Sequence, residues 1–399
     1  MKPNSTSLFR GLFPVLFAFF VTGFVDIVGI SVGFVKMDFN LSETEAQLLP
    51  SMVFIWFFLL AVPAGMAQFK MGKRRMLQLG MLVTIAGMLV PLLPYSYPVM
   101  LITFTLVGLG NTLIQVSTNP LMMQVVSNDK LSSFLSVGQV LKSTASLLGP
   151  VLVAFMAAQF GNWRLLFPLY GALALLNGVW LSATPNIIAG EKITFSVGDS
   201  LRLLKDKQVF IAFACIFLCV GLDVGMYAKI TSFLVDNFQV AKEEAGLTIS
   251  LYFFSAMFGR MIAGIVLKFV NDRLFLALNL ILALSGLVLM MFAPTVLLVQ
   301  VGIFAFGLGI SPIFPIVFSE ILKAKPSLSD PISGLMVMGI VGGAIVPPIL
   351  GVLTDLYGHI VSMSIFAASL LYIIIVNQIA LSKNKQVKME EDLKERELV

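Results

Sequence analysis

The chain has 399 residues, 58% of them hydrophobic and 12% charged, with a mean hydropathy of +0.97 and a formal net charge of +5. Soluble domains run about 45–50% apolar and about 25% charged, so this composition excludes a water-soluble globular protein. At roughly 20 apolar residues per membrane crossing, the apolar length suffices for a dozen helices with little left over outside the bilayer.

Cutting the apolar runs at Pro, Gly and charge clusters predicts helices over 11–35, 46–69, 75–94, 98–126, 132–159 and 164–183. A polar linker follows from Thr184 to Lys207, and then helices over 209–235, 245–270, 274–293, 296–322, 331–356 and 360–381. The fold class is an all-α polytopic membrane protein: twelve transmembrane helices in two pseudo-symmetric six-helix bundles. The domain plan is an N-terminal bundle (1–183), a linker (184–207), a C-terminal bundle (208–382) and a charged tail (383–399). Lys2 and Arg10 precede the first helix without a small-residue cleavage site, which reads as a retained span rather than a removed signal.

Lys and Arg collect in cytoplasmic loops. The two tails, the linker and the even-numbered loops carry twenty of them, whereas the odd-numbered loops hold only Lys36, Arg164 and Lys242. Both termini and the linker are therefore expected in the cytoplasm, with the chain a monomer in a bacterial plasma (inner) membrane. Because the positive charge sits at helix ends and not on one soluble face, a nucleic-acid partner is not expected. Cys215 and Cys219 lie one turn apart, and the single histidine, His359, is far away in sequence, so neither a metal site, a cofactor nor a disulfide framework is expected. A phosphate-cradling Gly-rich Lys-Ser/Thr loop is absent from the sequence, which argues against ATP as the energy source. A membrane enzyme would need acids or histidines clustered at one face, and the acids here are scattered.

A charged side chain at mid-bilayer costs at least ~2.5–3.5 kcal/mol on insertion scales, so each one that remains is a functional candidate. They are Asp26 on helix 1, Lys142 on helix 5, Asp223 and Lys229 on helix 7 and Arg260 on helix 8, with Glu320 near the cytoplasmic end of helix 10. Polar residues at helical spacing accompany them: Asn111, Gln115 and Asn119 on helix 4; Gln139, Lys142, Ser143 and Ser146 on helix 5; Thr22 with Asp26; Asp223 with Tyr227. Such stripes suit a ligand rich in hydroxyls, and they equally bind helices together. Asp26 and Asp223 are the candidate proton carriers, since a carboxylate in a low-dielectric cavity can load and release a proton. The alternative for Asp26 is a static pair with Lys142, and for Lys142 the rival to charge balance is a contact with a substrate carboxylate or phosphate. Arg260 reads either as a gate closing on Asp272 or Glu320 or as a structural cap.

The halves echo each other after their second helices. Gly65 is followed seven residues later by Gly72 and then by Lys73, Arg74 and Arg75; Gly264 is followed at the same distance by Asn271, Asp272 and Arg273. The segment from Gly65 through Lys70 to Arg75 resembles the signature loop of the major facilitator superfamily, and Gly161-Asn-Trp163-Arg164 resembles that family's start of helix 6. The signature's acid is Phe69 here. Phe258-Gly-Arg260 with Gly264, Ser311-Pro-Ile-Phe-Pro315, Met338-Gly-Ile-Val-Gly342-Gly343 with Pro347 and Gly351, Asn119-Pro120 and Gly221-Leu-Asp223 are similar to the fucose permease type of sugar:proton symporter. The resemblance implies two bundles rocking about a site near the membrane midplane, with Gly65, Lys70, Gly72, Lys73 and Arg74 in the gating loop. It implies coupling acids on helices 1 and 4, although Gln115 occupies the helix-4 position. The expected function is import of a small hydroxylated solute, a sugar or sugar derivative, acidic if Lys142 anchors it, together with a proton. A drug or metabolite exporter of the same superfamily is the alternative, since Leu148-Gly149-Pro150 faintly resembles an antiporter motif.

Overall fold

The computed structural model describes residues 5–126, 128–183, 197–267, 269–270, 272–325 and 328–397, and helix is the only regular structure among them. Ten helical stretches match one membrane crossing each: α1 (Gly11–Phe39), α2 (Glu43–Gln68), α3 (Lys73–Leu92), α4 (Tyr97–Thr118), α5 (Val137–Phe160), α6 (Trp163–Ser182), α7 (Lys207–Phe238), α8 (Lys242–Val266), α9 (Arg273–Phe292) and α10 (Val296–Leu322). An eleventh, Gly334–Val376, has 43 residues, about twice the length of a crossing. Gly358, at φ +82°, breaks it into α11 (334–357) and α12 (359–376), giving the twelve expected helices.

Three helices are interrupted where the sequence pattern showed only continuous apolar runs. A 3-10 turn over Gly23–Asp26 splits α1, another over Gly339–Val341 splits α11, and Ser311-Pro312 separates the two parts of α10, Val296–Ile310 and Ile313–Ala324. Hydropathy is blind to such turns, because the chain stays helical and apolar through them. The linker also holds a short helix, Val197–Arg202, and the final helix runs on through the charged tail to Glu397. Asp206 starts α7 by accepting from the backbone N–H groups of Gln208 and Val209 and takes Lys325 at 2.7 Å. That Lys325 hydrogen bond holds its carboxyl below the usual carboxylate range.

The packing repeats with an offset of six helices. α3 packs on α4, α2 on α4 and α1 on α5 in the first half, as α9 packs on α10, α8 on α10 and α7 on the α11–α12 unit in the second. Glycines set the close pairs in both halves. A Cβ on Gly110 would lie 2.8 Å from the Gly80 carbonyl between α3 and α4, and one on Gly302 would lie 2.6 Å from the Gly286 carbonyl between α9 and α10. Helices in lipid associate through such small residues, since apolar burial provides little driving force there. The halves meet where α5 packs on α8, α2 on α11 and α1 on α7. The outer surface exposes Leu82, Ile102, Val179, Ile265, Phe292 and Leu297, an apolar coat suited to lipid and not to water.

Gly342 tests this close packing, because a Cβ there would overlap the Phe217 carbonyl of α7, whereas nothing lies within 4 Å of a Cβ at Gly264. Gly342→Ala is expected to cost about 1–3 kcal/mol and to lower the thermal unfolding midpoint in detergent. Gly264→Ala should stay within about 0.5 kcal/mol of the parent.

Candidate functional site

The site is built around the break in α1. At Thr22, where 3-10 bonding takes over, the Asn111 amide on α4 donates to the Thr22 carbonyl at 2.9 Å, and Gln115, one turn along α4, donates to the Asn111 side-chain oxygen at 2.6 Å. Gly23 lets α1 lie directly on the Lys142 carbonyl and Ala145 of α5. At the end of the turn, Asp26 accepts from the Ser146 hydroxyl at 2.5 Å. In the other half, Tyr252 on α8 donates to Asp223 on α7, and Arg260 on α8 reaches back across the halves to Ser143 on α5 at 3.0 Å.

These contacts bring two acids and two cations together. Asp26 lies in electrostatic range of Lys142, Asp223 and Arg260, and Lys142 in range of Asp26, Asp223 and Arg260. The group is neutral as a whole and draws one acid and one cation from each half. Beside it, toward the end bearing the even-numbered loops, is a cavity of about 20 Å³ lined by Phe19, Thr22, Gln115, Thr118, Gln139 and Lys142. A water molecule fits in that volume and a hexose does not, and all six lining residues belong to the N-terminal half.

The sequence-predicted residues divide accordingly. Gln115, Gln139 and Lys142 line the cavity, and Asp26, Asp223 and Arg260 lie within electrostatic range of Lys142. Asn111 does not line it: it is 1% exposed and its amide is occupied by Thr22 and Gln115, so it fixes the α1 break. Tyr227 is sealed between α1 and α7, with Gly29 against its ring. Arg260 bonds Ser143, and Glu320 lies 3.8 Å from Arg273. Gly72, at φ +88°, makes the turn into α3, where Lys73 is the first residue, and Gly65 contacts Val116 only loosely. Arg74 donates to the Ser182 carbonyl within its own half at 2.6 Å. The side chains of Lys70, Asn119 and Asp272 lie outside the described residues.

Sequence reasoning missed Tyr252, though Thr248, Tyr252 and Ser255 form a polar stripe on α8 at helical spacing. It also missed a latch at the end bearing the odd-numbered loops, whose charges were counted for topology alone. There Lys36 on α1 bonds Glu43 at 2.7 Å and Asp236 on α7 at 3.0 Å, His359 meets Asp236 at 3.0 Å, and Lys242 meets Asp38 at 3.0 Å. Asp355 on α11 accepts from the backbone N–H groups of Glu43 and Thr44, at 2.9 and 2.8 Å, and from the Thr44 hydroxyl at 2.6 Å. A Ser42–Glu45 capping box presents that first turn of α2. Buried Lys229 donates to Thr354. Glu43, Asp236 and His359 also bring potential metal-ligand atoms within 4.8 Å of one another, but the Lys36 ammonium already bonds both carboxylates and acts as their cation.

The family model of the Major Facilitator Superfamily matches residues 14–228 and 213–397, and the chain belongs to that family of transporters; it is not an enzyme. It is 26% identical over 357 residues to a glucose/galactose transporter of Brucella abortus, covering 85% of this chain and 86% of that protein. A putative glucose/galactose transporter of Helicobacter pylori is 27% identical over 385 residues, covering 89% and 91%. The crystal structure of the fucose:proton symporter of E. coli superposes with a TM-score of 0.68 at 17% identity, covering 93% of this chain and 98% of that one, which establishes the shared fold.

Asp355→Ala removes three hydrogen bonds between the halves, each worth about 1.5–3 kcal/mol for a charged acceptor. With spin labels at positions 41 and 357, the variant is expected to shift the distance distribution to longer values. A distribution identical to the parent's would show that the latch does not hold this end shut.

Proposed function

We propose that the chain imports a small hydroxylated solute, a sugar or sugar derivative, together with a proton, by alternating access. The observation that carries this reading is the neutral group Asp26, Lys142, Asp223 and Arg260, shared by both halves beside an amide-lined cavity. A proton on Asp26 leaves the group with one uncompensated positive charge, which alters the attraction between the halves. Gln115 and Gln139 offer amide donors and acceptors for hydroxyl groups, and the Thr22 and Thr118 hydroxyls complete the cavity wall. Because Lys142 is already charge-balanced, a neutral solute fits better than an acidic one. The names of the Brucella and Helicobacter relatives support a hexose.

Binding differences between states produce no net flux on their own; a gradient must drive the conformational cycle. The break in α1 links the two events. Gln115 holds Asn111, Asn111 holds the Thr22 carbonyl, and the turn that begins there ends at Asp26. In this reading the latch at the odd-loop end is the extracytoplasmic gate, and the loop from Gly65 to Arg74 belongs to the cytoplasmic one. The chain is a monomer of two six-helix halves with both termini and the linker in the cytoplasm of a bacterial cell, as the loop charges suggest.

In proteoliposomes with an acidic exterior, the wild-type chain is expected to accumulate radiolabelled D-glucose or D-galactose. Asp26→Asn should abolish accumulation and leave counterflow exchange. Undiminished accumulation by Asp26→Asn removes that residue from coupling. Absence of hexose uptake, with transport of hydrophobic cations in its place, defeats the sugar reading.

A further inference from the structure

The closed seam between the halves contains polar atoms without partners. On α2, Gln47 is 0% exposed; its amide nitrogen reaches the Ala228 carbonyl of α7 at 3.5 Å, and its oxygen is unpaired. On α7, Tyr227 and Thr231 are 1% and 0% exposed, and both hydroxyls are unpaired. They press onto Gly29 and Gly33 of α1, two glycines at the same helical spacing. One turn before Gln47, Glu43 is 3% exposed and has a second unpaired oxygen, within electrostatic range of Lys229. Two helices of opposite halves thus each present an i, i+4 pair of polar side chains with orphaned atoms.

A buried donor or acceptor without a partner is costly, and native structures contain few. Alanine and valine would close the same seam without that cost, and the glycines opposite show that close approach is available. The unpaired atoms are accounted for if they have partners in another conformation. When the latch above them opens, this seam faces the extracytoplasmic side. Its hydroxyls and amide oxygen then match what the cavity on the other side offers through Gln115, Gln139, Thr22 and Thr118.

We propose that Gln47, Tyr227 and Thr231, flanked by Glu43, form an access subsite that binds the hydroxyl groups of the solute from the outside and is emptied when the seam closes. The inference rests on the alternating-access reading above. Closure presses Gly29 and Gly33 onto Tyr227 and Thr231, which displaces the solute toward the central cavity, and the orphaned atoms favour reopening once the solute has gone.

The test uses the full chain with Cys215→Ala and Cys219→Ala, carrying Gln47→Cys or Thr231→Cys, in right-side-out vesicles. A membrane-impermeant maleimide applied outside is expected to label both positions, and saturating D-glucose or D-galactose to slow labelling at least ~5-fold. In parallel, Thr231→Val should raise the KM for uptake from outside about 10-fold, leave the KM for efflux unchanged and leave the thermal unfolding midpoint equal or higher. Absence of labelling overturns the subsite whichever solute is carried. Labelling that a transported hexose fails to slow, or equal changes in KM from both sides, also overturns it. A wild-type chain that transports neither hexose contradicts the sugar reading, a separate result scored on the parent protein.

Discussion

The structure depends on one constraint: charges placed in the middle of an apolar chain must be neutralised by partners, and here an acid and a cation from each half share one group. An isolated intramembrane charge is costly, and a pair is tolerated only with good geometry and further hydrogen bonds. Asp26 has Ser146, Asp223 has Tyr252 and Arg260 has Ser143, so three of the four charges are held by a neutral neighbour as well. Asp26 and Lys142 also feel Asp223 and Arg260 across the interface, and under the proposed function this shared group connects the position of the halves to the protonation of a carboxylate.

The rest of the fold positions that group. The twelve helices supply two rigid units whose close glycine contacts, Gly80 with Gly110 and Gly286 with Gly302, repeat in both halves. Of the interrupted helices, α1 and α11 lie where the units meet and α10 packs on α7 and α8, and each interruption gives the backbone a place to bend. The ion pairs of Lys36, Asp236, His359, Lys242 and Asp38 then hold one end shut while the cavity beside Gln115 and Lys142 remains on the other side.

Much of this was legible in the sequence because lipid imposes a strong pattern. Apolar runs of crossing length fix the helices, and the charge at their ends fixes which loops share a side. The few polar residues left inside, Asp26, Lys142, Asp223 and Arg260, stand out and do converge. What was not legible concerns partners rather than residue types. Asn111 and Gln115 sit on one stripe, yet one holds the backbone of α1 and the other faces the cavity, and spacing alone treats them alike. Tyr227 carries the same polar tip whether it lines a cavity or is sealed against Gly29. The latch acids Asp236 and Asp355 looked like ordinary loop charge because their partners, Lys36 and the first turn of α2, are far away in sequence.

The central claim is that Asp26 and Lys142 balance each other inside one shared group. The most direct measurement is a double-mutant cycle of thermal stability with Asp26→Asn, Lys142→Met and both together. Lys142→Met leaves an excess of buried negative charge and should be the least stable of the three, by about 3–5 kcal/mol relative to the parent, with Asp26→Asn in the same chain recovering most of that loss. Losses that simply add would show that the two residues do not share a charge balance, and the coupling described here would fail with it.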